Sequence, residues 1–180
     1  MAARLFFPFF LILLVGFHGA FASVQETCAK AMEGSEHKNL ESFCVTTLQA
    51  APGSATADAK GLAVIATNLT LANYTAAVAI IKELQRRGGW SDKQQAALAT
   101  CRRRYIEALN VVHSAVHALA TGRKQAYVAE MGAVRRSATD CDDTFGGGAA
   151  AAKRVDAPLR KVNDDAENLT TMAMLIVITL

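Results

Sequence analysis

Beyond residue 55 the apolar positions of this chain recur at intervals of three and four. A first seam runs through Leu62, Ile65, Leu69, Ala72, Ala76 and Ala79, continues towards Leu84, and stops at Gly88-Gly89. Ser91 and Asp92 can then cap a second helix, whose stripe is Leu98, Cys101, Tyr105, Leu109, Val112, Val116 and Leu119. Thr121-Gly122 is a helix stop, and a third stripe comes after it with Tyr127, Met131, Val134, Ala138, Cys141 and Phe145. Gly146 to Gly148 and the alanines after them form a linker. The last segment starts at Asp156, tolerates Pro158 in its first turn, and shows Leu159, Val162, Ala166, Leu169, Ala173, Ile176 and Leu180. Spacing of this kind is one face of an α-helix. Four helices of roughly 20–30 residues joined by short loops predict an up-down-up-down bundle. Two shorter helices precede it, around Cys28 and Cys44, with a break at Gly34-Ser35. The expected fold is therefore all-α: a four-helix bundle over 55–180, preceded by a disulfide-closed helical hairpin over 23–52.

The opening residues have a different pattern. Arg4 precedes an apolar run from Leu5 to Phe17, interrupted only by Pro8 and Gly16, and Ala20-Phe21-Ala22 offers a small-x-small cleavage site. Residues 1–22 read as a secretory signal peptide. The run is shorter than the ~20 residues needed to cross a bilayer. Composition changes at the same point: six of the eight phenylalanines (Phe6, Phe7, Phe9, Phe10, Phe17, Phe21) lie in this leader. The chain beyond it is rich in alanine and poor in aromatics, which argues against a β-sandwich. The net charge of +3 falls by one when Arg4 leaves, too little to suggest a nucleic-acid partner. Arg86-Arg87, Arg102 to Arg104 and Arg135-Arg136 read as solvated helix faces. Met172 to Leu180 is apolar all round, but no polar spacer separates it from a small-residue site. A buried final helix is expected there rather than a lipid-anchor signal.

Secretion makes disulfides the default for Cys28, Cys44, Cys101 and Cys141. Two antiparallel helices turning at Thr121 place equidistant positions opposite each other. Cys101 and Cys141 lie 20 residues on either side of it, on the facing stripes. Cys28 and Cys44 are centred on Glu36 in the same way. The expected bridges are Cys28–Cys44 and Cys101–Cys141. Zinc is the weaker reading, since there is no C-x-x-C pair and no histidine in ligand register.

No constellation for catalysis appears. The G-x-S-x-G elbow, the phosphate-binding glycine loop and the H-E-x-x-H zinc helix are all missing. His113 and His117 share a helix face without a third ligand, and read as boundary residues rather than a metal pair. Asp140, Asp142 and Asp143 lack the glycine and distal glutamate of an EF-hand. Asp164 and Asp165 point about 100° apart on a helix and do not form a catalytic carboxylate pair. No metal or other cofactor is expected, and recognition is the expected function. Asn68, Asn73 and Asn168 head N-x-[ST] sequons and are candidate N-glycosylation sites, with chance occurrence the competing reading.

Several stretches carry a family resemblance. Val24-Gln25-Glu26-Thr27-Cys28 comes directly after the leader, and Phe43-Cys44-Val45 closes the hairpin. Ala57-Asp58-Ala59-Lys60-Gly61-Leu62-Ala63 and Cys101-x-x-x-Tyr105 with Ala108-Leu109 come next. Ser137-Ala138-Thr139-Asp140-Cys141-Asp142-Asp143 and the Asn163 to Ile176 region with its Leu169-Thr170 complete the set. Together these resemble the plant invertase and pectin methylesterase inhibitors over essentially the whole of residues 23–180. The resemblance implies a non-enzymatic, secreted four-helix bundle with an N-terminal hairpin and the same two disulfides. It implies a protein partner, pectin methylesterase or acid invertase, whose substrate cleft is blocked. It also implies residence in the apoplast or cell wall, or in the vacuole. A monomer is expected, with neither nucleic acid nor membrane as a partner.

The Thr27-Cys28 and Asp58-to-Leu62 context looks closer to the invertase-inhibitor branch. That branch is known for a Pro-Lys-Phe tripeptide at the start of the third bundle helix. Here the window reads Arg123-Lys124-Gln125-Ala126-Tyr127, with a lysine and an aromatic but no proline. The expected target interface is the Gly122 turn with Arg123, Lys124 and Gln125; the competing reading is an ordinary basic helix start. A lipid carrier would need a cavity lined by large residues, which alanine-rich seams do not provide. The remaining alternative is a structural, signalling or allergen-like bundle without an enzyme target.

Overall fold

The computed structural model describes residues 23–145 and 158–180, and its regular structure there is entirely helical. Local sequence fixes the helix starts. Ser23 caps α1 (Val24–Met32), accepting from the Glu26 amide while the Glu26 carboxylate accepts from the Ser23 amide. A 3₁₀ turn at Lys38–Leu40 leads into α2 (Glu41–Gln49), and a second at Ser54–Thr56 leads out of it. Asp58 caps α3 (Ala59–Arg87) through the Gly61 amide at 2.7 Å. Ser91 and Gln94 form a capping box on α4 (Asp92–Ala120). Reciprocal caps of this kind satisfy amides that the first helical turn leaves without partners. Two further helices, α5 (Lys124–Thr144) and α6 (Arg160–Ile178), complete the described residues. The expected leader at 1–22, the Gly146 to Gly148 linker and the Asp156 helix start lie outside the described residues.

Each long helix packs against its neighbours in sequence, and α6 closes the ring against α3. Across one diagonal, the Tyr127 hydroxyl and Thr67 Oγ1 share a hydrogen bond of 2.7 Å, while Tyr74 donates to the Val134 carbonyl at 2.8 Å. Both partners advance together along the sequence, so α3 and α5 run parallel across the bundle. On the other diagonal, the Tyr105 hydroxyl donates to Asn163 Oδ1 at 2.8 Å. The Tyr74 and Tyr105 rings meet in the middle, with centroids 4.9 Å apart. Many of the buried positions around them are alanine, including Ala66, Ala77, Ala108, Ala115, Ala138 and Ala166. Small side chains let the helix axes approach; three tyrosines then span what remains.

The buried faces depart from the apolar seams in two places. On α3 the core row passes through Thr67, Thr70, Tyr74, Ala77, Val78 and Ile81, leaving Ala72, Ala76 and Ala79 exposed. Thr67 and Thr70 donate to the Ala63 and Ala66 carbonyls, which removes the cost of burying their hydroxyls. On α4 the small residues Ala108, Ala115 and Ala118 face inward, so Leu109 is half-buried and Val116 exposed. The third stripe falls on the core face, apart from the half-buried Phe145. The apolar end of α6 is a packed helix: Leu169 to Ala173, Ile176 and Val177 are all buried, with Ile178 and Leu180 left exposed. It is apolar on several sides because α3 and α5 flank it while α1 packs on a further face. Lys30 Nζ also donates to the Thr179 carbonyl at 3.0 Å, tying the hairpin to the end of α6.

Both cysteine pairs are bridged. Cys28–Cys44 closes a sequence separation of 16 and Cys101–Cys141 one of 40. In the chain-entropy account, the longer loop stabilises by about 4 kcal/mol and the shorter by about 3 kcal/mol. Replacing both Cys101 and Cys141 by serine should therefore cost more in urea unfolding than replacing Cys28 and Cys44. Loss of the Cys28–Cys44 bridge should also register as faster hydrogen exchange confined to α1 and α2. A larger global loss from the hairpin pair would contradict this ordering.

The chain's three tyrosines are all fully buried. Burial is the main cause that pushes the Tyr127 phenol up to about 12, and it raises Tyr74 and Tyr105 further. Unfolded tyrosines titrate near 10, so above that pH the unfolded chain binds fewer protons than the native one. Stability from these groups is fully present below pH ~10 and is lost as pH rises through the folded values. Phenolate absorbance should accordingly appear in one cooperative step, together with the loss of helical circular dichroism. A tyrosine titrating near pH 10 in the still-folded protein would refute the buried core.

Candidate functional site

The up-down topology gathers the start of α3, the end of α4, the start of α5 and the end of α6 at one end of the bundle. At its tip, α4 ends in a left-handed glycine, Gly122 with φ +71°. The Gly122 amide donates to the Leu119 carbonyl and the Arg123 amide to that of Ala118, at 3.1 and 2.9 Å. This six-to-one closure is the Schellman arrangement that suits glycine. It reverses the chain in three residues and throws Arg123, Lys124 and Gln125 outward, all exposed.

The start of α5 is unlike those of α1, α3 and α4. Arg123 sits at the cap position without a side-chain hydrogen bond to the helix, and no acidic residue lies in the first turn. Its guanidinium Nε instead donates to Thr121 Oγ1 at 3.1 Å. Cations therefore stand at the positive end of a helix dipole, an arrangement that costs about 0.3–1 kcal/mol. The result is an electropositive knob with helix amides facing outward beside it, which suits a carboxylate-bearing surface. A cleft of about 310 Å³ adjoins it, lined by Lys60, Leu119, Gly122, Lys124 and Leu180. A shallower depression of about 580 Å³ runs over Gly122 to Ala126.

Other sequence candidates do not converge here. Tyr127, the aromatic of the 123–127 window, is in the core on Thr67 and out of a partner's reach. His113 and His117 share the solvent face of α4, and the described residues hold no metal-binding group of three. The aspartates around Cys141 diverge. Asp140 approaches Arg104 at 3.7 Å, Asp142 turns inward towards Asn163, and Asp143 is exposed. Asp164 and Asp165 pair with Arg160 and Lys161 one turn away. Of the three sequon asparagines, Asn68 is exposed while Asn73 and Asn168 are half-buried. Sequence reasoning does not find Lys60 and Leu180. Their only signal is topological, since each lies at a helix terminus that the bundle brings to this end.

Residues 22–176 match the model of the family described as plant invertase/pectin methylesterase inhibitor. The chain belongs to this family. Its members are inhibitor proteins rather than enzymes. A relative from Platanus acerifolia, described as "Putative invertase inhibitor", is 28% identical over 153 residues, covering 85% of this chain and 82% of its own length. A crystal structure of mutant form A of a pectin methylesterase inhibitor from Arabidopsis superposes with a TM-score of 0.69 at 23% identity. The superposition covers 88% of this chain and 97% of that one. A second crystal structure, of a pectin methylesterase inhibitor from Arabidopsis thaliana, gives 0.60 at 21% identity over 77% and 87% of the two chains. These structural likenesses establish a shared fold.

Within an inhibitor family, a helix start that carries cations against its own dipole has a measurable signature. Lys124→Glu should raise thermal stability slightly, by about 0.5 kcal/mol, because it reverses an unfavourable charge at the helix start. With the turn as the target interface, the same change should weaken inhibition of an acid invertase or pectin methylesterase at least tenfold. Full inhibition by this variant would discard the turn as an interface.

Proposed function

We propose that this chain is a secreted inhibitor that seats its α4–α5 turn in the substrate cleft of acid invertase or pectin methylesterase. Membership of the inhibitor family carries the reading, and the exposed, uncapped cationic turn supports the choice of surface. Residues 1–22 act as the leader and 23–180 as the inhibitor domain, delivered to the apoplast and cell wall or to the vacuole. The two disulfides fit an oxidising compartment of that kind.

Charge favours acid invertase of the two targets. Glycoside hydrolysis commonly uses a pair of carboxyl groups flanking the scissile bond, so a glycosidase cleft is acidic at its centre. Arg123 and Lys124 complement such a cleft. The role needs little reorganisation, because the turn is held by its glycine closure and by a bundle pinned at Cys101–Cys141. Preorganisation lowers the ordering cost of binding.

The oxidised protein, mixed with an acid invertase and separately with a pectin methylesterase at mildly acidic pH, should inhibit one of them stoichiometrically. Inhibition of neither would exclude the function and leave the fold untouched.

A further inference from the structure

The helix α3 carries more apolar surface than the bundle uses. By length and composition it could cross a membrane, yet only 39% of its most apolar 18-residue window is buried. A row at four-residue spacing, Lys60, Val64, Asn68, Ala72, Ala76 and Ile80, winds about 200° around the helix, and every member is exposed. Val64 and Ile80 are among the most exposed large apolar side chains, at 43% and 41%. Beside Val64 a groove of about 140 Å³ extends to Val116, Leu119 and Ala120 of α4, and Asn68 forms part of its wall. Around Asn68, then, the exposed apolar surface is local: Val64, Ala72 and the groove to Val116.

A sequon lies in the middle of that row. Asn68 points into solvent from a rigid helix, one turn from Val64 and one turn from Ala72. The other two sequons are placed less well. Asn73 is half-buried, with an Oδ1 that has neither accessible surface nor a hydrogen-bond partner. Asn168 is half-buried and precedes five consecutive buried residues, Leu169 to Ala173. In the folded protein the Thr70 hydroxyl of the Asn68 sequon is buried and donates to the Ala66 carbonyl at 3.0 Å. Sugar transfer to Asn68 must therefore precede the folding of α3, and burial discriminates afterwards: a sugar on half-buried Asn73 or Asn168 obstructs the packing of its helix, whereas one on exposed Asn68 does not.

We propose that Asn68 carries an N-linked oligosaccharide that covers the exposed apolar surface around Val64 and Ala72, while Asn73 and Asn168 stay unmodified. The assignment rests on the secretion reading above, because the modification belongs to the secretory pathway. The donor is a lipid pyrophosphate-linked oligosaccharide. A bond forms between the anomeric carbon and Asn68 Nδ2, the bond from that carbon to the pyrophosphate oxygen breaks, and one amide proton is released as the lipid pyrophosphate departs. A hydrated oligosaccharide at this position lies over Val64, Ala72 and the Val116 groove. It keeps a second copy of the chain off that face.

The test expresses the full chain in a plant or yeast secretory host, with its own leader and, in parallel, with a foreign leader replacing residues 1–22. Peptide mapping after enzymatic release identifies the modified asparagine by its conversion to aspartate. The expected result is one glycan at Asn68 in both secreted proteins. Modification at Asn68 with the foreign leader alone, the natural version staying inside the cell, would count against secretion and still support the site. Secreted protein with Asn68 bare, or with Asn73 or Asn168 modified, would overturn the assignment. The covering role is read on folded protein from which the sugar has been removed enzymatically, with Asn68→Gln as a second sample. Both should show a several-fold rise in hydrophobic-dye fluorescence, and elution as a larger species supports the same role. Dye binding and size unchanged by sugar removal would overturn it.

Discussion

Three phenol hydroxyls reaching across the diagonals of an alanine-rich bundle are the interaction on which the rest of this structure depends. Four helices that interleave alanine with leucine, isoleucine and methionine approach closely, and such apolar contacts define their relative heights only loosely. Tyr74, Tyr105 and Tyr127 supply that definition, because each ring fills the centre and each hydroxyl has one buried partner to reach. A one-turn slip of α3 against α5 would strand the Tyr127 and Tyr74 hydroxyls together, whereas Thr67 keeps its bond to the Ala63 carbonyl. Buried polar groups without partners cost about 1–3 kcal/mol each, so slipped packings lie well above the native one. Apolar contact alone would tolerate several registers; the hydrogen bonds select one.

The disulfides act on different parts of this arrangement. Cys101–Cys141 joins α4 to α5 at the end far from the Gly122 turn, so that helical hairpin is closed at both ends. Cys28–Cys44 holds together two nine-residue helices that are too short to be stable alone. Their docking explains why α6 is apolar on a side that a plain four-helix bundle would expose. Val24, Ala31 and Met32 of α1 are buried in the same core as Ile176 and Val177. The hairpin is therefore a lid on the bundle core as well as an appendage at its entrance.

Among the described residues, the helices, their order and both cysteine pairings were legible in the sequence because each depends on period and distance along the chain. The rotation of α3 was not. Hydropathy ranks Ala72, Ala76 and Ala79 above Thr67 and Thr70, while the fold buries the threonines and exposes the alanines. A threonine that returns its hydroxyl to the preceding turn presents mainly a methyl to its neighbours, and an apolarity scale does not register that change. The tyrosine partners were equally hidden, since Asn163 and the Val134 carbonyl become partners only after the helices are packed. At the candidate site, Arg123, Lys124 and Gln125 could be found from the turn beside them. Lys60 and Leu180 join them only through the topology, and Tyr127 leaves the surface set because the core requires its ring.

This division between core and tip bears on how one fold can serve inhibitors of chemically different enzymes. The diagonal hydrogen bonds and the alanine contacts lie along the bundle axis and leave the α4–α5 turn free of structural duties beyond its glycine. Arg123, Lys124 and Gln125 make no contact that the core requires, and the two cations stand against the helix dipole. A position that lowers stability and serves no packing is free to answer to a partner. With docking at this turn as proposed, specificity can drift at the tip while the tyrosine hydrogen bonds hold the scaffold constant. On that proposal, resemblance along the bundle identifies the family, whereas the choice of enzyme rests with the few side chains at its end.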